Sequence, residues 1–447
     1  MPGLALPLLE AHGSSLETCV YCPKLCRAAC PVSNAEASET VTPWGKMSTA
    51  YFAARGNVPL DAGHAATAWA CTSCFACRDM CQHKNPVAVV LGDARVEAFA
   101  RGVAPEPAAA LARGWFDRAA EVTEAIDVIA TQTDTDRAQP SETALLFGCG
   151  YARRAPDVAR DAVQATMTLT GSRVRPVRAC CGLPLLQAGD HDGFVAAARR
   201  LAAEVAKAPR VVAVDPGCAR TLLVEYARIG VKLPKVELFL DLVANDRGKL
   251  RALSPDEIAN AVETARSAAP SPAPSSREGA SPLAHSVRTG ALGAAPHEGA
   301  AREAVPSSRS SVSDAAASSR SSSNEAVPSS RRGVRVRWHD PCQLGRGLGR
   351  FDEPRAILDR LAQGAVGFPR ERAMGECSGG GGLLPITRPD TSLAIAEARL
   401  AEHRTAGGGV LVTHCASSLH RFRTAGEPAV DLTTLVARAL TPQGRRS

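Results

Sequence analysis

Apolar positions recur at two different periods along this chain, and the change from one to the other divides it. Up to residue 132 the period is helical: Met47–Arg55, Val87–Arg101, Ala108–Ala120 and Val122–Ala130 each read as helices. From Thr143 short apolar runs alternate with helical stretches. Ala144–Phe147, Arg173–Arg178 and Val211–Val214 read as strands, with helices over Ala155–Thr168, Phe194–Ala206, Leu222–Ile229 and Leu238–Val243. After Gly333 the plan resumes, with strands over Val334–Trp338 and Val410–Thr413 and helices over Arg355–Leu361, Ser392–His403 and Leu432–Ala439. Such alternation predicts parallel α/β sheets.

Between the two α/β stretches the pattern fails. Over residues 267–332 Ser, Ala, Pro and Arg dominate, and Glu-Ala-Val-Pro-Ser-Ser-Arg occurs at 303–309 and again at 325–331. Too few large apolar side chains are present to offset the conformational entropy of ordering, so disorder is expected there.

Cysteine turns the question from fold to chemistry. Eight of the fifteen cysteines fall in two tight runs, Cys19-x2-Cys22-x3-Cys26-x3-Cys30-Pro31 and Cys71-x2-Cys74-x2-Cys77-x3-Cys81. The second spacing lets one loop place three thiolates on a [4Fe–4S] cluster while the fourth reaches a neighbouring cluster. The first run carries one extra residue between Cys22 and Cys26. On this spacing Cys19, Cys22, Cys26 and Cys81 serve one cluster, and Cys71, Cys74, Cys77 and Cys30 the other. Structural zinc takes four ligands, usually as two well-separated pairs. Disulfides need an oxidising compartment, and the start of the chain has no basic n-region and an apolar stretch broken by Pro7. Zinc and disulfides are therefore the lesser readings. Forty residues part Cys30 from Cys71, too many for a compact two-hairpin ferredoxin, so a helical ferredoxin-like module is expected.

Composition changes little. A hydrophobic fraction of 45% permits sizeable cores, and no apolar run reaches the ~18 residues of a membrane span. The net charge of +7 allows docking to an acidic partner or an anionic membrane face, but a mixed solvated surface explains it as well. No nucleic-acid motif stands out. No Gly-x-Gly-x-x-Gly follows a strand, so flavin or nicotinamide chemistry is left to a partner.

The other seven cysteines repeat one plan. A Cys follows the first strand of each half (Cys149, Cys342), then comes a cysteine-glycine turn (Cys180-Cys181-Gly182, Cys377-Ser378-Gly379), then a Cys after a later strand (Cys218, Cys415). Cys149 to Cys180 spans 31 positions and Cys342 to Cys377 spans 35, which points to an internal duplication. In open α/β sheets ligands sit beyond the carboxyl ends of the strands. Cys149, Cys180, Cys181 and Cys218 are thus expected to converge on one cluster site, and Cys342, Cys377 and Cys415 on a weaker metal site. Nearby polar residues read more blandly. His339 and Asp340 suit the turn at Pro341, Arg346 and Arg350 suit a solvated helix flank, and His414 is open to either reading.

The two N-terminal runs, with Cys180-Cys181-Gly182 and His339-Asp340-Pro341-Cys342, resemble the heterodisulfide reductase-type iron–sulfur proteins. That group includes the cluster-bearing subunits of anaerobic glycerol-3-phosphate dehydrogenase and of glycolate or lactate oxidation systems. The family's cysteine-rich domain carries a Cys, then Cys-Cys-Gly, then Cys-x2-Cys, in duplicate. Here the closing pairs are Asp215-Pro216-Gly217-Cys218 and Cys415-Ala416-Ser417-Ser418, and the second Cys-Cys-Gly is Cys377-Ser378-Gly379. Asp215 is a hard oxygen donor, poorly matched to a soft cluster.

The fold expected is α+β and multidomain: a helical two-cluster ferredoxin-like domain (16–105), a helical connector (106–140), and two duplicated α/β cysteine-rich units (141–253 and 333–447) separated by a low-complexity, mostly disordered insert (254–332). The function implied is that of a cytoplasmic electron-transfer subunit of an oxidoreductase, active with partner subunits. Electrons would come from a flavoprotein dehydrogenase or electron-transfer flavoprotein, pass two [4Fe–4S] clusters, and enter the cysteine-rich domain, which could hold a further cluster or zinc. A quinone-linked subunit at the inner face of the plasma membrane is a candidate partner. The alternatives are a catalytic disulfide- or hydroxy-acid-linked subunit working at Cys180/Cys181, and a zinc-stabilised interaction module.

Overall fold

The computed structural model of the chain describes residues 6–135, 143–267 and 334–440; the repeat-bearing stretch expected to be disordered lies outside the described residues. Up to residue 135 every regular element described is a helix, and the helices begin where the sequence supplies caps. Thr42 accepts from the Gly45 N–H at 3.0 Å to start Pro43–Ala54, and Asp61 accepts from the His64 N–H at 2.9 Å to start Ala62–Trp69. Pro31 opens Pro31–Glu36, where its missing N–H costs nothing, and so sets Cys30 at the cap.

Thr143–Leu146 (β1), Val174–Pro176 (β2), Arg210–Ala213 (β3) and Lys235–Leu238 (β4) form a parallel sheet in the order β2-β1-β3-β4. Val336–Trp338 (β5), Val410–Thr413 (β6) and Val430–Asp431 (β7) form a second parallel sheet, β5-β6-β7. A remnant of the missing fourth strand is present. Val366 makes one parallel bridge to Arg337 on the free side of β5, with the Trp338 N–H donating to the Val366 carbonyl at 2.9 Å. The duplication is therefore visible in topology as well as in cysteine spacing.

Three elements depart from the sequence pattern. β4 ends at Leu238, the residue taken as the start of a helix, and the helix runs Phe239–Asn245 instead. β7 has two residues, too few to show any period. Pro255–Ser267, inside the segment assigned to the insert, is a helix burying Ile258, Ala261 and Ala265. Its start is a capping box: the Glu257 N–H donates to Ser254 Oγ at 3.3 Å, and the Ser254 N–H donates to Glu257 Oε2 at 2.9 Å.

Strand alternation turns the first sheet into a wall between two cores. Leu145 and Val212 join a core that continues into the second half through Trp338, Val412 and Leu435. Ala144, Leu146 and Val211 join another, shared with Leu16, Trp69 and Leu91 of the N-terminal helices. With both faces covered, β1 is apolar after its first residue, as parallel strands generally are. A third, small core holds Cys30, Cys74 and Cys377 together with Val32, Leu384 and Ile395.

Candidate functional site

All fifteen cysteines are free thiols. The first group forms where helix Gly13–Val20 ends. Lys24 takes φ +65°, a left-handed turn that accommodates the extra residue between Cys22 and Cys26. Cys81, at the end of helix Ala76–Met80, comes back to this group. Cys19, Cys22, Cys26, Cys77 and Cys81 line one small cavity. Asn85 Nδ2 donates to Cys19 Sγ at 3.0 Å. Burial, reinforced by the neighbouring thiols, pushes Cys19 up to about 12 and Cys26 up to about 11. Any metal taken up here must displace protons as it binds.

The second group is built on a strained loop. Ser73 and Phe75 are left-handed, at φ +54° and +62°, and the Ser73 N–H donates to Cys71 Sγ at 3.4 Å. Cys71, Cys74 and Cys77 come from this loop, and Cys30 joins them from the first run, so that Cys77 lies within electrostatic reach of all three.

Three buried cations surround this second group, each less than a tenth exposed. Lys46 Nζ donates to Cys30 Sγ at 3.3 Å and to the Ala70 carbonyl at 2.7 Å. Arg95 donates to the carbonyls of Ala68, Gln187 and Cys71. Arg346 donates to those of Cys74, Ala373 and Gly375, while its Nη2 is buried without a partner. None of these bonds goes to a carboxylate. Burial pulls the Lys46 pKa down, but the neighbouring Cys30, Cys71 and Cys77 sulfurs outweigh it and hold it above the ordinary range. A buried, unpaired charge costs several kcal/mol, so this much positive charge calls for an anion. A thiolate-ligated iron–sulfur cluster is one, and the soft donor set matches it. Among the described residues no group of three or more His, Cys, Asp or Glu is arranged to hold a single metal ion. Thiols spread around several irons do not have to meet that single-ion geometry.

In the first cysteine-rich half the thiols come together in pairs: Cys149 and Cys180 sulfurs lie 3.7 Å apart, and Cys181 and Cys218 lie 3.5 Å apart. The second half repeats both pairings. Cys342 packs against the small core that holds Cys377, and Ser378 Oγ lies 2.9 Å from Ser418 Oγ. The glycine after each turn is left-handed, Gly182 at φ +78° and Gly379 at φ +79°. A Cβ on Gly379 would lie 2.4 Å from the Ser392 carbonyl, so the turn admits only glycine. Cys377 also shares that small core with Cys74 of the second thiol group. Cys415 is set differently. Burial pushes it up to about 12, and the charged group beside it is Asp215 of the first half.

Asp215 acts as a double cap. Its Oδ1 accepts from the Gly217 and Cys218 N–H groups at 2.8 and 3.2 Å, and its Oδ2 from the Ala416 N–H at 2.9 Å in the other half. His414 Nδ1 lies 3.2 Å from Asp431 Oδ1, whose other oxygen accepts from Tyr151 at 2.6 Å. His339 is buried with Nδ1 accepting from Arg399, and Asp340 brackets its turn by accepting from Trp338, Arg355 and the Arg372 N–H. Arg350 pairs with Asp241 at 3.2 Å. Arg346 is the correction: it is no solvated flank, because its guanidinium is drawn inward to the Cys74 carbonyl. Lys46, Arg95 and Asn85 do not stand out in the sequence. The signal for the two cations is a charged residue on an apolar helix face, with Arg95 at helical spacing from Leu91 and Ala98.

A family described as a 4Fe-4S dicluster domain matches residues 15–85, and one described as a cysteine-rich domain matches twice, at 143–223 and 336–422. Over 81 residues the chain is 35% identical to a dihydromethanophenazine:CoB–CoM heterodisulfide reductase subunit from Methanosarcina mazei, covering 18% of this chain and 20% of that one. Over 81 residues it is 37% identical to a probable membrane-anchored ferredoxin of Chromohalobacter salexigens, covering 18% and 12%. The likeness thus spans a fifth or less of these relatives' length. Among the described residues no helix is long and apolar enough to cross a membrane. The chain thus joins a dicluster domain to two cysteine-rich domains, and over its N-terminal stretch it resembles a heterodisulfide reductase subunit.

Proposed function

We propose that this chain carries electrons from a flavoprotein dehydrogenase or electron-transfer flavoprotein, through two [4Fe–4S] clusters, into its cysteine-rich units. Cys19, Cys22, Cys26 and Cys81 hold the outer cluster, and Cys71, Cys74, Cys77 and Cys30 the inner one, within a domain of residues 16–105. When bound, each cluster supplies one-electron transfer at a potential set by its surroundings. The observation that carries this reading is an unbroken succession of thiols. Cys77 lines the cavity of the first group, Cys74 of the same loop shares a small core with Cys377, and Cys342 packs against that core. Asn85 and Lys46 orient ligand sulfurs on either side, and burial keeps water from the inner group.

Cys149, Cys180, Cys181 and Cys218 hold a further cluster in this reading, while Cys342, Cys377 and Cys415 form a weaker site for iron–sulfur or zinc. The protein works in the cytoplasm and hands electrons to a quinone-linked subunit at the inner face of the membrane. Relatives named for a dihydromethanophenazine-linked reductase and a membrane-anchored ferredoxin favour that location.

The test is anaerobic iron, sulfide and zinc content with low-temperature EPR. It compares the full chain with a variant carrying Ser at positions 149, 180, 181 and 218. About eight irons in the variant and more in the parent support two clusters plus a third site. About four irons or fewer in the parent would sink the two-cluster reading. A second reading, catalysis at Cys180/Cys181, draws on the paired thiols at 3.7 and 3.5 Å. It requires that Cys181→Ser abolish turnover of the assembled complex while leaving the EPR of the N-terminal clusters intact.

A further inference from the structure

The two N-terminal thiol groups differ in the charge around them. Facing the outer group is a neutral donor, the Asn85 amide, at 3.0 Å from Cys19 Sγ. Lys24, a cation on the rim of that cavity, is more than a third exposed and lies 4.0 Å from Glu39. Around the inner group stand Lys46, Arg95 and Arg346, all buried, Lys46 bonded to Cys30 Sγ and the two arginines to the backbone carbonyls of Cys71 and Cys74. Charges in a dry interior act far more strongly than those that water screens.

Each electron added to a thiolate-ligated centre makes it one unit more negative. A buried cation stabilises that state and raises the potential, as do hydrogen bonds to the sulfurs. Lys46 supplies both effects at once, because its ammonium touches Cys30 Sγ itself.

We propose that Lys46, backed by Arg95 and Arg346, holds the inner centre at a higher potential than the outer one, so that electrons entering at Cys19, Cys22, Cys26 and Cys81 run inward. The drop ends at Cys74, which shares a small buried core with Cys377 of the second cysteine-rich half. The direction of flow is then built into the charge distribution of one small domain. This inference rests on the two-cluster reading above.

The experiment is an EPR-monitored potentiometric titration of the full chain, reconstituted anaerobically, in the parent, Lys46→Met and Lys46→Arg forms. Methionine keeps the length and removes the charge, and arginine keeps the charge. Two midpoints are expected in the parent. In Lys46→Met the higher falls toward or below the lower while the other stays in place, and Lys46→Arg restores the order. Asn85→Leu moves the lower midpoint alone. Two midpoints that do not respond to Lys46→Met overturn the inference and leave the two-cluster reading standing. A single titrating centre in the parent overturns both. If Lys46→Met does not fold, Arg95→Met reads the same centre, and an unmoved higher midpoint there is equally fatal.

Discussion

Ser378 Oγ lies 2.9 Å from Ser418 Oγ, in the place where the other half sets Cys181 Sγ 3.5 Å from Cys218 Sγ. Both positions carry hydroxyls where the first half carries thiols, and the buried pair stays satisfied in either form. Restoring both thiols is therefore a direct test of what the second half lacks. Ser378→Cys with Ser418→Cys should bind additional iron and sulfide on anaerobic reconstitution, for about 1 kcal/mol of overpacking in a buried site. Iron content equal to the parent's would show that the lost thiols are not what limits that half.

Cysteines are exchanged between the two runs. Cys81 lines the cavity of Cys19, Cys22 and Cys26, while Cys30 lies with Cys71, Cys74 and Cys77. Cys30→Ser should accordingly remove or alter the EPR signal of the inner centre, and Cys81→Ser that of the outer one. The opposite assignment of the two losses would mean that each run serves its own centre.

Gly382 sets how closely the second half approaches the N-terminal loop. A Cβ there would lie 2.0 Å from the Cys71 carbonyl, and φ is +65°. Gly382→Ala should cost about 3 kcal/mol or more in urea unfolding and disturb the centre that Cys71 serves, because backbone has to move. Gly13→Ala, with nothing within 4 Å, is the control and should be close to neutral. Equal stability of the two variants would mean that this contact yields readily.

Burial raises the Asp161 carboxyl to about 6, against one hydrogen bond from Thr434 at 2.7 Å that favours its charged form. The unfolded chain ionises this group near pH ~4, so folding is opposed progressively as pH rises to about 6 and fully above it. Asp161→Asn removes the charge and should stabilise the chain by roughly 2 kcal/mol at pH ~8 and hardly at all at pH ~4. Denaturant melts at the two pH values check this; a gain of equal size at both would assign the effect to packing.

Much of this protein is legible along the chain. Two cysteine runs, two strand–helix stretches and a duplicated cysteine plan are local patterns, and local spacing carries them. The helix Pro255–Ser267 has a local signal too, in the capping box of Ser254 and Glu257, but low-complexity sequence close behind it obscures that signal. β4 and β7 are not legible, because β4 runs straight into the apolar start of the helix Phe239–Asn245 and β7 is two residues long, so that both exist through pairing with β3 and β6.

By itself, the sequence determined which atoms are available as soft ligands and which elements carry them, since thiol chemistry and hydrophobic period are properties of residues and short segments. Tertiary structure alone decided what surrounds those atoms and how the halves are joined. Asp215 becomes the cap that joins two halves, and Lys46, Arg95 and Arg346 converge on one thiol group from three separate helices. A charge acquires its strength from burial and distance. Both are set by packing between segments far apart in the chain.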